Sequence, residues 1–187
     1  GDKLWSTAGN WSAGIPNVTK AKVTLLDSMI LDTDVEIGQI KVGAGTGDVA
    51  VTSNNSSTLT LSGINVTQPV QNNRADSDLN LDLKVVFNST DAVETIQASA
   101  AGECTITFGA SSDVTVNVPT KLMAQADRII NFNGVLRNTG TGQLQVAAAS
   151  EVVFGSGSDN SNYTEDIKLL GNNGVLTSNT ADDGTFI

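Results

Sequence analysis

The side chains in this sequence that could most readily catalyse a reaction or bind a metal ion are carboxylates. They occur in short clusters. In a strand, Asp32, Asp34 and Glu36 would share one face because side chains alternate between faces. Two carboxylates that flank a scissile bond are the minimum for glycoside hydrolysis. The sequence contains no histidine, which excludes nucleophilic triads built on that residue. The clusters are Asp32, Asp34 and Glu36; Asp76, Asp78 and Asp82; Glu165 and Asp166; and Asp182 and Asp183.

Calcium is the metal that such oxygen ligands would suit. The segment "DTDVEIG" (32–38) places Asp32, Asp34 and Glu36 at alternate positions, but it lacks the twelve-residue loop with a terminal Glu. Two further turns, "GAGTGD" (43–48) and "GSGSD" (155–159), end on Asp48 and Asp159 and resemble the turns of calcium-binding β-rolls. We therefore expect no organic cofactor. Calcium is the one candidate metal, and it would brace turns or an interface.

The amino-acid composition limits which kinds of partner this protein can bind and in which compartment it works. Ten Lys and Arg against twenty Asp and Glu give a net charge of −10, which argues against binding to nucleic acid or to anionic membranes. The sequence has no apolar run near the ~20 residues that a membrane-spanning helix needs. Charged residues make up 16% of the chain, against a usual fraction of roughly 25%. The hydroxyl- and amide-rich remainder, together with a first residue other than Met, predicts a mature secreted or cell-surface protein.

Short runs of alternating apolar and polar residues dominate the sequence, among them "VEIGQIKV", "TLTLSG" and "CTITFG". Such a period of two, bounded by Gly, Asn, Asp or Ser, predicts half-buried β-strands. The single cysteine, Cys104, excludes an internal disulfide and is expected to be buried on one of them. Helices are expected only at 89–102, which could form two or three turns with Ser89 or Thr90 as the N-cap, and at 120–128, which could form one turn.

Four phenylalanines recur at nearly one spacing along the middle of the chain. An interval of about 22 fits one coil of a stacked β-solenoid, in which equivalent side chains form an internal column. Each of the four is followed by Gly or Asn, which we expect to turn the corner in the left-handed region. The alternative is an antiparallel β-sandwich or jelly roll, in which two strands would span such an interval. The residues of the predicted column are Phe87, Phe108, Phe132 and Phe154.

Both tryptophans lie in "LWSTAGNWSAGIP" (4–16), a segment without periodicity. A solenoid has open ends that need covering, so Trp5 and Trp11 are expected to form a cap; the alternative is a platform for stacking a sugar ring. This segment, followed by "AKVTLL" and "VEIGQIKVGAGTGDVAVTSNNSSTLTLSG", resembles the start of the β-helix repeats in passenger domains of bacterial autotransporters and related secreted surface proteins. The resemblance covers residues 4–63 and implies an adhesin-type β-helix.

These observations predict one domain, a right-handed parallel β-helix of about eight coils. Residues 1–20 would form the cap, residues 21–179 the coils, and residues 180–187 a C-terminal cap or a strand exchanged with the next subunit. The predicted function is a non-enzymatic adhesion or structural module that contacts carbohydrate or a surface protein. A homo-oligomer or filament is the expected assembly.

A polysaccharide lyase or glycoside hydrolase on a pectate-lyase-like β-helix is the enzymatic alternative. The chain lacks the Gly-His-Gly and Arg-Ile-Lys elements of the hydrolases, and only "ADDG" (181–184) resembles their motifs. Lyases need a basic proton acceptor beside calcium, and the spacing ties no acidic residue to Arg128 or Arg137. We therefore expect the acidic clusters to lie on solvated outer faces.

Overall fold

Alternation in the sequence becomes a stack of short parallel strands in the computed structural model. The structure describes residues 2–43, 47–62, 68–90, 93–98, 103–125 and 128–178. Within these residues, apolar side chains that alternate along a strand point inward and polar ones point outward. In the strand Cys104–Phe108, for example, three buried residues alternate with two half-buried threonines. The sequence pattern therefore sets which side of each strand enters the core.

Six coils of three strands each, followed by two strands of a seventh, make up the stack in the described residues. Their bounds in chain order are β1 (Lys22–Leu25), β2 (Met29–Leu31) and β3 (Val35–Ile37); β4 (Gln39–Val42), β5 (Val49–Ser53) and β6 (Thr58–Leu61); β7 (Val70–Asn72), β8 (Leu79–Asp82) and β9 (Lys84–Phe87); β10 (Glu94–Ala98), β11 (Cys104–Phe108) and β12 (Asp113–Val116); β13 (Thr120–Ala124), β14 (Arg128–Phe132) and β15 (Val135–Asn138); β16 (Leu144–Ala147), β17 (Glu151–Phe154) and β18 (Asp159–Asn162); and β19 (Lys168–Leu170) and β20 (Val175–Ser178).

Each coil gives one strand to each of three parallel sheets. Sheet 1 has the order β1-β4-β7-β10-β13-β16-β19, sheet 2 has β2-β5-β8-β11-β14-β17-β20, and sheet 3 has β3-β6-β9-β12-β15-β18. Every strand pair is parallel, as in β11 with β14, where Cys104 is opposite Arg128 and Phe108 is opposite Phe132. The fold is therefore a β-solenoid, as predicted, and the antiparallel sandwich is wrong.

The predicted number of coils is too high, because the structure makes about six turns. The prediction assumed that the repeat between the phenylalanines holds along the whole chain. Lys22 pairs with Gln39 in the next coil, whereas Ile40 pairs with Val70, which is much farther along the chain. Insertions at the corners lengthen some coils without adding a turn, so chain length alone overestimates the count.

The two expected helices are also wrong where the structure describes them. Residues 94–98 form β10 and residues 120–124 form β13, and these two strands pair with each other in register. Each of the two strands pairs with a neighbouring coil on both sides, and this tertiary contribution outweighs the weak local preference of its residues. The one helix in the described residues is a 3₁₀ turn, Ala8–Asn10. No helix there is long and apolar enough to cross a membrane.

The Gly and Asn residues after the phenylalanines do not turn the corner in the predicted way. None of Asn88, Gly109, Asn133 and Gly155 has a positive φ. Glycine is needed at 109 because a Cβ there would collide with the side chain of Asp82. At 155 a Cβ would meet the end of the Asn133 side chain, which would have to shift. Close approach of consecutive coils, and not left-handed backbone, therefore accounts for glycine at 109.

Candidate functional site

The tryptophans cover the N-terminal end of the stack. Trp5 is completely buried, and its indole N–H donates to the carbonyl of Pro16 at 3.0 Å. Trp11 is half-buried, lies 4.7 Å from Trp5 between ring centroids, and donates its indole N–H to the Trp5 carbonyl at 2.7 Å. Because Trp5 has no exposed face, it cannot stack on a sugar ring, so the platform alternative fails for this residue. The geometry is that of a cap.

Main-chain hydrogen bonds join the cap to the first coil. Leu4 pairs with Ile30 as a parallel bridge, and the Trp5 N–H donates to the Ile30 carbonyl at 2.8 Å. This pairing satisfies backbone groups of β2 that the first strand of sheet 2 would otherwise leave to solvent. The cap therefore continues the ladder of sheet 2 by one short segment.

Asp32, a predicted calcium ligand, instead holds the cap. Its carboxylate accepts hydrogen bonds from the backbone N–H of Ser6 at 3.0 Å and from the Ser6 hydroxyl. These bonds, the hydroxyl first, lower the pKa of Asp32 below its ordinary value because they stabilise the charged form. Asp2 is similar, since its contact with the Asn10 amide is the largest cause that lowers its pKa.

Asp34 and Glu36 each bind the following coil. The Asp34 carboxylate accepts from the backbone N–H of Thr58 at 2.8 Å, and the Glu36 carboxylate accepts from the Ser62 hydroxyl. The expectation that Asp32, Asp34 and Glu36 share one strand face is wrong. Only Glu36 lies in a strand, while the other two occupy the corner between β2 and β3.

Asp48 and Asp159 lie far apart along the stack. The carboxylate of Asp48 accepts from the backbone N–H of Asp78 at 3.0 Å. The carboxylate of Asp159 accepts from the hydroxyl of Ser161 at 2.7 Å and from its backbone N–H, and these bonds lower the pKa of Asp159. In the described part of the chain, no three carboxylate, thiol or imidazole groups lie close enough together to hold a metal ion. Calcium stays a prediction.

The phenylalanines divide between two sheets. Phe108, Phe132 and Phe154 occupy one register position of sheet 2, with centroid separations of 4.8 Å and 5.4 Å and nearly parallel rings. Phe87 ends β9 in sheet 3 opposite Val116, and it meets Phe108 edge-on at 6.2 Å. The predicted column therefore contains three rings, and the fourth packs on it from the neighbouring corner. All four are buried.

The outer side of sheet 1 carries amides and amines in register. Lys41, Gln71 and Gln97 follow one another on consecutive coils. A second row begins with Lys121 and continues through Gln145 to Lys168. We call these two rows the amide face. Within it, the Gln71 amide donates to Gln97 Oε1 at 3.3 Å, so side chains of adjacent coils hold one another in place.

An acidic groove runs along the start of the sheet 2 strands, with a volume of about 590 Å³. Asp48, Asp78, Thr105, Ile129 and Glu151 follow one another coil by coil, as the neighbouring register pairs show. The remaining lining residues flank this row; they are Asp76, Ser77, Glu103 and Cys104. Five of the nine lining residues are therefore acidic. They come from four coils, and the coil that contains Ile129 contributes no acidic residue.

Hydrogen bonds between coils orient the carboxylates at the end of the groove that is nearer to the N-terminal cap. The N–H of Thr105 donates to Asp78 Oδ1 at 3.0 Å, as the N–H of Asp78 does to Asp48. A carboxylate has about four lone-pair sites, so a bond to the backbone orients it and leaves capacity for a ligand. Such a surface can accept hydrogen bonds and attract cations.

The sequence prediction missed the acidic groove as a unit. Asp48, Asp76 and Asp78 stood out as acidic residues, but Glu103 and Glu151 lie in runs that look like ordinary strands. The spacings of the row are unequal, since Asp48 aligns with Asp78 and Thr105 aligns with Ile129. No fixed period in the sequence would have brought these residues together. Asp182, Asp183 and the segment 180–187 lie outside the described residues, so the predictions made for them are not tested.

Comparison with known proteins found no matching family model, no similar curated protein and no similar solved structure. The resemblance of residues 4–63 to autotransporter passengers therefore stays a prediction. The structure assigns the chain only to an architecture, which is a parallel β-solenoid with an N-terminal tryptophan cap.

Proposed function

We propose that this protein is a non-enzymatic extracellular or cell-surface adhesion or structural module, and that its amide face binds polysaccharide. The single observation that carries the proposal is the repetition of Gln and Lys side chains at matching register positions on successive coils of sheet 1. Side-chain amides offer both donors and acceptors, which is the combination that sugar hydroxyls require.

The spacing of the amide face supports a linear ligand. Successive coils are ~4.8 Å apart, so six turns make a rod roughly 30 Å long. Contacts that repeat at this interval are individually weak, but a polymer engages several of them at once, and the second contact forms at a high effective concentration. The lysines add attraction for acidic sugars although the chain as a whole carries a charge of −10.

Stiffness is the second property that suits this role. Asp34, Glu36 and Asp78 each bind a backbone or hydroxyl group of the next coil. Charge-assisted hydrogen bonds of this kind are stronger than neutral ones, and here they connect repeats that would otherwise meet only through the ladder. A stiff stack holds its binding groups in fixed positions, which limits the entropy lost on binding.

The test is a binding and turnover experiment with immobilised acidic and neutral polysaccharides. Replacing both Lys121→Ala and Gln145→Ala should weaken binding by about thirtyfold, since each lost contact to a charged or amide group contributes on the order of 1 kcal/mol and the two together about 2 kcal/mol. The matched control replaces Thr107→Ala and Asn131→Ala, two neighbouring polar residues on the outer side of sheet 2. That control should bind like the wild type.

Product analysis separates this proposal from the enzymatic alternative. New reducing ends or unsaturated products released from the bound polysaccharide would identify a hydrolase or a lyase and overturn the non-enzymatic assignment. Equal loss of binding in both double variants would overturn the amide face as the binding surface.

A further inference from the structure

The acidic groove, distinct from the amide face, concentrates negative charge along a line. Its carboxylates are all exposed, and they come from four coils, with Asp48 at one end and Glu151 at the other. The described residues form ion pairs between Lys3 and Asp27 and between Arg137 and Asp113, and neither pair involves a groove carboxylate. The repulsion among these groups is relieved when a cation binds between them.

Ser77 gives independent evidence that a ligand belongs in the groove. It lines the cavity, yet only 4% of the residue is exposed, so it lies at the floor. Its Oγ is buried and has no hydrogen-bond partner among the described residues. A buried hydroxyl without a partner is destabilising because it has lost its bonds to water, and a ligand that donates a hydrogen bond from within the groove would restore one of them.

The form of the groove identifies the class of cation. A compact metal site needs several oxygens within reach of one ion, and no three carboxylates of the described residues lie close enough together to supply them. A distributed row of acceptors instead fits a chain that carries several separate positive charges, each of which is a donor. Ammonium groups meet this requirement because they have three N–H donors and no acceptor.

We propose that the acidic groove binds a linear oligoamine, with protonated amines placed against the carboxylates of the three successive coils that carry Asp48, Asp78 and Glu103, and one amine donating to Ser77 Oγ. Coils are ~4.8 Å apart. With bonds of about 1.5 Å, an extended chain of four bonds between two nitrogens covers about 5 Å, so amines separated by three methylenes match the coil spacing. Asp78 and Glu103 lie on adjacent coils, and Glu151 holds the far end of the chain.

Isothermal titration calorimetry of the whole chain with spermine tests this inference. Glu103→Gln combined with Glu151→Gln should weaken spermine binding by about tenfold, a loss of about 1.4 kcal/mol, which lies within what two exposed ion pairs contribute together. The matched control combines Glu165→Gln with Asp166→Asn, which removes the same charge from exposed residues outside the groove. That control should bind spermine like the wild type. Ser77→Ala should weaken binding while the carboxylates remain in place.

Further probes distinguish the proposal from its alternatives. Equal weakening in both charge-neutralised variants would show that only the net charge matters, and it would overturn the site. Calcium that binds more tightly than spermine at equal ionic strength would overturn the oligoamine in favour of a metal. A tetralysine peptide that binds more tightly than spermine would overturn it in favour of a basic protein. Polysaccharide binding by the amide face is measured separately, so either proposal can fail while the other stands.

Discussion

Replacing Phe132 offers the most direct test of how the interior of this solenoid is held together. Its ring lies between Phe108 at 4.8 Å and Phe154 at 5.4 Å, with interplanar angles of 9° and 15°. An aromatic pair contributes about 0.5–1.5 kcal/mol beyond buried area, so Phe132→Leu, which loses two pairs, should cost about 1–3 kcal/mol. Phe132→Ala adds a cavity and should cost about 3–5 kcal/mol.

Phe87 provides the matched control for stacking. It is as deeply buried as Phe132, but it makes a single edge-on contact with Phe108. Phe87→Leu should therefore cost about half as much as Phe132→Leu. Both changes conserve apolar character at a buried strand end, so the difference between them isolates the second ring contact.

Urea unfolding measures these differences with two probes. Far-ultraviolet circular dichroism follows the whole stack, whereas tryptophan fluorescence follows the N-terminal end, because Trp5 and Trp11 both lie in the cap. With a slope of about 2 kcal/mol per molar urea, a loss of about 4 kcal/mol lowers the midpoint by about 2 M. Equal costs for Phe132→Leu and Phe87→Leu would refute the stacking argument and leave buried area as the whole explanation.

Three shorter predictions concern the cap, a corner and the alkaline limit. Asp32→Asn should lower the melting temperature at about pH 7. The pKa of Asp32 is lowered in the folded protein, so its bonds to Ser6 stabilise the fold fully above the ordinary pKa of 3.8, and this stabilisation is lost as pH falls below the folded pKa. The difference between the variant and the wild type should therefore vanish in strong acid. Gly142→Ala should prevent a stable stack, since its Cβ would collide with the Val116 carbonyl; thermal melting shows this, and a wild-type melting curve would contradict it. Burial raises the pKa of Tyr163 to about 12. The stability of the folded protein should therefore fall as pH rises from about 10 to about 12. Once urea unfolds the chain, the absorbance of its single tyrosine should show titration near the ordinary pKa of 10.

Much of the architecture could be predicted from local pattern. Alternation marked strands such as Cys104–Phe108 and predicted their buried faces, because side-chain direction in a strand has a period of two wherever the strand lies. The recurrence of Phe108, Phe132 and Phe154 predicted the stacking of coils, since equal intervals place equal side chains on neighbouring coils.

Long-range pairing decided what the pattern could not. The segments 94–98 and 120–124 lack a strong local preference and became strands because adjacent coils supply their hydrogen bonds. Asp32 forms a hydrogen bond with the cap because the fold brings Ser6 next to its carboxylate.

By itself, the sequence determined the period of the strands, the buried apolar side, the solenoid class and the absence of histidine chemistry. Only the tertiary structure decided which polar residues share a surface. Corner insertions change the length of each coil, and parallel pairing then sets the register independently of any constant repeat. For this reason Asp48, Asp78 and Glu151 lie in one groove although unequal intervals separate them in the chain.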